Sequence, residues 1–81
     1  MIYIAPAAQK QFESLPLMIQ ARMEALFERL KQWPDVSGVK PLRGKLAGHY
    51  RMRTGDYRLQ FKVVGANIYI EQVGHRDGFY D

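Results

Sequence analysis

Residues 49–62, with the sequence HYRMRTGDYRLQFK, decide the fold of this 81-residue chain. Gly55-Asp56 at their centre is a two-residue turn with glycine first, which fits a type II′ β-hairpin. Because successive side chains of a strand point to opposite faces, the hairpin has one apolar and one basic face. The apolar face is formed by Tyr50, Met52, Thr54, Tyr57, Leu59, Phe61 and Val63. The basic face is formed by His49, Arg51, Arg53, Arg58, Gln60 and Lys62.

The basic face carries a pair of like charges that the fold must tolerate. A two-residue loop sets Thr54 opposite Tyr57. The next pair away from the turn is then Arg53 opposite Arg58. Like charges that face each other across two strands are destabilising, so a sequence that keeps them has a reason outside the fold. The simplest reason is a polyanionic ligand, and the commonest polyanion is nucleic acid.

Composition limits the class of protein and the kind of site. Lys and Arg outnumber Asp and Glu by 12 to 8, and this net charge of +4 favours an acidic partner. A hydrophobic fraction of 47% is enough for a packed core, and we expect one domain over residues 1–81. The absence of cysteine excludes disulfides and thiolate metal sites. With neither a leader-like N-terminus nor an apolar run of ~20 residues, the expected location is cytoplasmic.

The segments before the hairpin predict a strand and two helices. Residues 1–4 are mostly β-branched or aromatic, which indicates a strand. Pro6 suits the first position of a helix, and Pro16 ends that helix and starts a second one over about residues 16–32. The second helix has a regular apolar stripe at helical spacing. That stripe consists of Ile19, Met23, Leu26, Leu30 and Trp33.

The predicted fold class is α+β, with the element order β-α-α-β-β-β. A loop rich in glycine and proline covers residues 35–48, the hairpin follows, and a last strand covers residues 68–73. We expect a mainly antiparallel four-stranded sheet with the helical hairpin packed on its apolar face. The basic face of the sheet then stays open.

The register of the last strand decides which groups join the open face. Placing Lys62 opposite Glu71 pairs opposite charges, and the same register brings Arg58 close to His75. Arg76 then falls at the same end of the sheet. The predicted open-face set is Arg51, Arg53, Arg58, His75, Arg76 and Tyr80.

This set is suited to cleaving RNA without a metal. Arginine binds phosphate through two hydrogen bonds and keeps its charge, so it can hold a phosphate and stabilise the charge that develops on it. RNA supplies its own nucleophile, the 2′-OH, and the enzyme then needs a proton acceptor and a proton donor. His75 and Tyr80 are the candidates, although His75 can equally serve as a backbone hydrogen-bond partner. Two histidines far apart in sequence give no basis for a metal site, and no cofactor is expected.

Several motifs resemble those of the RelE/ParE superfamily of toxins from type II toxin–antitoxin pairs. They are LRGKLAG at 42–48, YRMRTGDYRLQFKV at 50–63 and IYIEQVGHRDGFY at 68–80, and the resemblance covers nearly the whole chain. The resemblance implies a cognate antitoxin protein as partner. For RelE-like members it also implies binding to the ribosome and cleavage of messenger RNA in the A site. For ParE-like members it implies inhibition of DNA gyrase instead.

The resemblance implies roles for residues at matching positions. Arg51 and Arg53 stand where RelE toxins have basic residues that bind and activate the RNA backbone. Arg58 matches the phosphate-stabilising arginine, and Arg76 matches the arginine of the G-[HK]-R motif. Tyr80 matches the terminal aromatic residue that stacks on the substrate or transfers a proton.

The tail favours the nuclease branch over the gyrase inhibitors. ParE-like chains usually lack the pair formed by Arg76 and Tyr80, whereas GHRDGFY keeps it. The family often has R-K-D-V-Y at this place, and Gly78 loosens the segment that aims Tyr80. A gyrase inhibitor without nuclease activity is the alternative, and an inactive member that mainly binds its antitoxin is a third possibility.

Further basic residues extend the predicted RNA-binding surface. They are Lys40, Arg43, Lys45 and Lys62. Such residues contact phosphates without reading sequence. His49 is interpreted as structural because it stands at a strand end, and the hairpin aromatic residues are assigned to the core.

Overall fold

The computed structural model describes residues 1–78 and has two helices on one face of a five-stranded sheet. The strands are β1 (Ile2–Ile4), β2 (Lys40–Pro41), β3 (His49–Thr54), β4 (Tyr57–Val64) and β5 (Asn67–His75). The helices are α1 (Pro6–Glu13) and α2 (Leu17–Leu30). The α+β class and the packing of the helical hairpin are confirmed. The additional strand is β2, a segment of the predicted loop that pairs with β3.

The sheet order is β1-β5-β4-β3-β2. The outer strand β1 runs parallel to β5, and every other pairing is antiparallel. Both outer strands are short, and Pro41 lacks the N–H that would extend a ladder outward. Such edges offer little for another strand to pair with.

The helices form where the prolines predict. Pro6 is the first residue of α1, and Pro16 stands immediately before α2. The rings of Phe12 and Phe27, with centroids 5.8 Å apart, connect the two helices. No helix within residues 1–78 is long and apolar enough to cross a membrane.

The core lies between the helices and the apolar face of the sheet. The predicted stripe of α2 is buried there, and Trp33 packs edge-on against Tyr50 and Phe61 with ring centroids 4.8 and 5.4 Å away. The buried residues are Ala8, Ile19, Met23, Leu26, Leu30, Met52, Leu59, Phe61, Ile68, Ile70 and Val73. The helices cover one face only, so the other face of the sheet stays open as predicted.

The hairpin has the predicted turn and register. Gly55 has a φ of +60°, and among the described residues no residue other than glycine has a positive φ. A positive φ at the first turn position alone is the pattern of a type II′ turn. Arg53 stands opposite Arg58, as the length of the loop requires.

The predicted register between β4 and β5 is wrong. Lys62 stands opposite Tyr69, not Glu71, and Arg58 stands opposite Gly74, not His75. At Lys62 the cause is the two-residue turn Gly65-Ala66, which pairs Val64 with Asn67. Nearer Arg58 a β-bulge adds one residue to β5, because Gln60 pairs with Gln72 while the next residue of β4 pairs with Ile70.

The bulge follows from the apolar pattern of β5. Ile68, Ile70 and Val73 are all buried, although their spacing is first two and then three residues. A regular strand can bury only every second residue on one face, so one extra residue is needed before Val73.

Candidate nucleic-acid interface

The open face of the sheet presents three rows of paired side chains. Residues that pair across neighbouring strands point to the same face. The arginine row contains Arg53, Arg58 and Gly74. The middle row contains Lys40, Arg51, Gln60 and Gln72. The aromatic row contains Tyr3, Tyr69, Lys62 and His49.

The arginine row concentrates positive charge next to the hairpin turn. Arg53 is exposed and faces the half-buried Arg58, and Gly74 places no side chain on the far side of Arg58. Arg51 follows in the middle row of the same face. Partial burial, and then the charges of Arg58 and Arg53, lower the pKa of Arg51 from its usual value. The contributions of Arg58 and Arg53 to this lowered pKa show that their guanidinium groups lie near that of Arg51.

A groove of about 440 Å³ lies beside this cluster, along the edge of the sheet. It is lined by Gly38, Val39, Lys40, Arg51, Met52 and Arg53. Lys40 reaches this place because it pairs with Arg51 across the β2–β3 ladder. The groove therefore combines three basic side chains with a short apolar wall.

A carboxylate also lies among these basic side chains. Glu71 is the extra residue of the bulge, and its Oε1 lies 2.6 Å from Nδ1 of His49. The amide of Gln60 donates to the same oxygen at 3.5 Å. His49 and Glu71 are both half-buried. His49 thus has the structural contact expected of it, and it also belongs to the open face.

His75 does not join the arginine row. It pairs with Tyr57, and the two rings meet edge-on at 5.3 Å, so His75 lies on the side of the sheet that the helices cover. Its Nδ1 accepts a hydrogen bond from the backbone N–H of Asp77 at 3.2 Å. The prediction that His75 lies beside Arg58 is wrong, because the turn before β5 and the bulge together place Gly74 there.

Arg76 lies at the predicted end of the sheet. Its backbone N–H donates to the carbonyl oxygen of Asp56 at 2.7 Å, which ties the end of β5 to the hairpin turn. Its side chain is 58% exposed, and its guanidinium lies 3.7 Å from the carboxylate of Asp56 and 3.9 Å from that of Asp77. These exposed ion pairs are weak. Tyr80, the other residue assigned to this end, lies outside the described residues.

The remaining predicted RNA contacts fall into two groups. Lys40 and Lys62 belong to the open face, in the middle row and the aromatic row. Arg43 and Lys45 are exposed in and beside the 3₁₀ turn Gly44–Leu46, away from the arginine row in sequence and pairing. Within residues 1–78, no group of three or more His, Cys, Asp or Glu side chains is placed to hold a metal ion.

The sequence reasoning missed the aromatic row. The sequence predicts strands at Tyr3 and Tyr69, and each tyrosine alternates with isoleucines. Ile68 and Ile70 beside Tyr69 are buried, and Ile2 beside Tyr3 packs against the core. That alternation is the signal that places both rings on the open face.

Comparison with known proteins gives the family. The model of the family described as ParE toxin of the type II toxin–antitoxin system parDE matches residues 2–78. Toxin RelE3 of Methanocaldococcus jannaschii is 28% identical over 83 residues, which cover 99% of this chain and 94% of that protein.

Solved structures agree with this assignment. A chain of the RelBE2 toxin–antitoxin complex from Mycobacterium tuberculosis is 30% identical, with a TM-score of 0.81 over 94% of this chain and 96% of that one. A chain of the RelE–RelB complex from Pyrococcus horikoshii is 27% identical, with a TM-score of 0.76 over 93% and 92%. The match over residues 2–78 places the chain in the ParE toxin family, within the RelE/ParE superfamily of toxins from type II toxin–antitoxin systems.

Proposed function

We propose that this toxin is a ribosome-dependent endonuclease that cleaves messenger RNA in the A site. The observation that carries the proposal is the facing pair Arg53 and Arg58 on the open side of the sheet, with Arg51 beside it. The fold does not need this repulsion, and a phosphate would relieve it. The relatives named RelE favour the same branch of the superfamily.

The proposed reaction uses the RNA as its own nucleophile. The 2′-oxygen attacks the neighbouring phosphorus and loses its proton to an acceptor, and the bond to the 5′-oxygen breaks as that oxygen receives a proton. The products are a 2′,3′-cyclic phosphate and a 5′-hydroxyl. Arg58 and Arg53 bind the phosphate and stabilise its developing charge, and Arg51 holds an adjacent phosphate.

Proton transfer is assigned to the tail of the chain. His75 is 42% exposed and directly precedes Arg76 at the arginine end of the sheet. His75 lies on the other side of the sheet from Arg58. It therefore contacts the RNA only where the RNA strand passes over the arginine end of the sheet. Tyr80 is the second proposed proton-transfer group.

We also propose an antitoxin partner. The solved relatives named above were crystallised as toxin–antitoxin complexes. An acidic segment of an antitoxin would be attracted to the open face, where Lys40, Arg51, Arg53 and Arg58 lie together. Covering that face would block access of RNA to it.

Gyrase inhibition is the second candidate. It is favoured by the family model, which describes the ParE toxin of the parDE system. On that alternative the same basic face binds a protein or a DNA complex, and no RNA is cut.

The deciding experiment is induction of the chain in bacteria, followed within minutes by mapping of mRNA 5′ ends. New ends inside translated codons, absent with Arg58→Ala and reduced with Arg76→Ala, support the nuclease. Arg29→Ala is the matched control, because it removes an exposed arginine from the helical layer, where it contacts Ser37. Intact messages together with growth arrest and double-strand DNA breaks would replace the nuclease by the gyrase inhibitor.

A further inference from the structure

The aromatic row crosses four strands of the open face. Tyr3 of β1 pairs with Tyr69 of β5, which pairs with Lys62 of β4, which pairs with His49 of β3. The rings of Tyr3 and Tyr69 are stacked, with centroids 5.2 Å apart and planes 15° from parallel. Nζ of Lys62 lies 5.7 Å from the centre of the Tyr69 ring. Tyr3 is 42% exposed although it is a large aromatic residue.

We propose that an unpaired base of a single-stranded RNA, whose phosphates lie on the arginine row, stacks on the exposed ring of Tyr3. Tyr69 supports that ring, because Tyr3 is stacked against it and Nζ of Lys62 lies over it. Aromatic rings bind bases of any sequence through their faces, and neighbouring cations bind the backbone. The row supplies both kinds of group, because Lys62 stands next to the tyrosines. This inference rests on the proposed function for the identity of the nucleic acid.

The distance between the two rows fits one continuous strand of RNA. Arg58 and Lys62 are four residues apart on β4, or about 14 Å at ~3.4 Å per residue. Stacked nucleotides advance by ~3.4 Å each, so about four stacked nucleotides, or fewer in an extended strand, cover the same length. Bases on the aromatic row therefore belong to nucleotides a few positions from the phosphate held by Arg58.

The groups between the rows are compatible with this path. The middle row offers Arg51 and the amides of Gln60 and Gln72. The carboxylate of Glu71 lies beside the middle row, where His49 and Gln60 contact it. An RNA strand thus meets cations and amide groups along most of the way.

The tyrosine pair also has a structural role that the test must separate. It joins the edge strand β1 to β5, and such cross-strand aromatic pairs stabilise sheets. A loss of binding after removal of one ring is therefore informative only if it depends on the bases of the ligand.

The test compares two fluorescein-labelled RNA hexamers that carry 2′-O-methyl groups and cannot be cleaved by 2′-OH attack. One has all its bases, and the other is abasic at every position and keeps only the sugars and phosphates. Affinities are measured by fluorescence anisotropy on the full chain in an Arg58→Ala background, which allows the toxin to be produced alone. Circular dichroism on each variant checks that it is folded.

We expect Tyr69→Ala and Tyr3→Ala to weaken binding of the complete hexamer by roughly tenfold or more and to leave the abasic hexamer nearly unchanged. Tyr69→Phe keeps the ring and is expected to restore the base-dependent binding that Tyr69→Ala loses. Leu17→Ala is the matched control, since Leu17 is an 81% exposed apolar residue at the start of α2. It is expected to change neither affinity.

The proposal is overturned if the alanine variants retain the parent's ratio of affinities for the two hexamers. Loss of antitoxin binding with unchanged RNA binding would also overturn it and assign the row to a protein partner. The outcome is separable from that of the proposed function, which is measured by mRNA cleavage in cells. Base-dependent binding without cleavage would keep the stacking site and remove the nuclease.

Discussion

The two faces of the sheet are built from the same strands, but the covered face pairs apolar, buried residues, whereas the open face pairs two arginines. On the covered face, neighbouring residues such as Met52 and Leu59 pair across the strands, and both are buried. One row further towards the turn, on the open face, Arg53 and Arg58 pair and repel each other. Stability therefore comes from the covered face, while the open face gives up some stability to keep its charge. Substitutions on the two faces should separate folding from activity.

The largest effect on stability is expected from Phe61→Ala on the covered face. Phe61 is fully buried and contacts the rings of Trp33 and Tyr50. Removing the ring leaves a cavity and should lower the free energy of unfolding by about 3–5 kcal/mol. Urea denaturation measures the loss. Val64→Ala, at an exposed position of the same strand, should stay within about 0.5 kcal/mol.

On the open face, the largest effect is expected on activity and not on stability. Arg58→Ala should lower the rate of mRNA cleavage on programmed ribosomes by about 10²–10³-fold, since one donor to the developing charge is lost. Arg58→Lys keeps the charge without the paired hydrogen bonds and should recover only part of the rate. An unfolding free energy that falls as far as that of Phe61→Ala would show that Arg58 belongs to the core.

A smaller effect is expected at Glu71, which contributes to stability and also places a negative charge on the open face. Glu71→Ala removes the partner of His49 and should lower the free energy of unfolding by about 1 kcal/mol, because the contact is hydrogen-bonded and half-buried. The same change removes a negative charge from the open face and should strengthen binding of an RNA oligonucleotide. Weaker binding would mean that the carboxylate organises the face instead of opposing the ligand. Denaturation and anisotropy on one variant measure both effects.

The smallest effect is a gain in stability. Arg53→Gln removes one member of the facing pair and should raise the free energy of unfolding by about 0.2–1 kcal/mol. The gain should shrink at high salt, where exposed charges are screened. Thermal denaturation at low and high ionic strength tests this. A loss of stability at both ionic strengths would contradict the idea that this pair opposes folding.

Local signals in the sequence were enough for most of the fold. The turn Gly55-Asp56 determined the register of the hairpin, and Pro16 with the apolar stripe of α2 determined the helices. One feature depended on contacts distant in sequence. The pairing of Lys40 with Arg51 needs the loop to return to β3, and no local pattern indicates that it does.

The parts of the site that depend on local sequence were also predictable. The basic residues of β3 and β4 lie on one face because the hairpin is local, and Arg76 reaches their end of the sheet as predicted. His75 does not lie beside Arg58, because its face depends on whether β5 is regular, and only the burial of Val73 decides that. Local alternation places Tyr3 and Tyr69 on the open face, but their pairing in the aromatic row joins the first and last strands of the chain and has no local signal.

The bulge at Glu71 also constrains how this protein can change over generations. Since side chains alternate along a strand, loss of the codon for Glu71 would leave a regular strand in which Val73 stands two positions after Ile70 and still faces the core. Gly74 would still stand beside Arg58, and the open face would lose the carboxylate that contacts His49. We therefore expect lineages of this toxin to differ in whether residue 71 is present, while Val73 stays on the covered face and Gly74 stays beside Arg58.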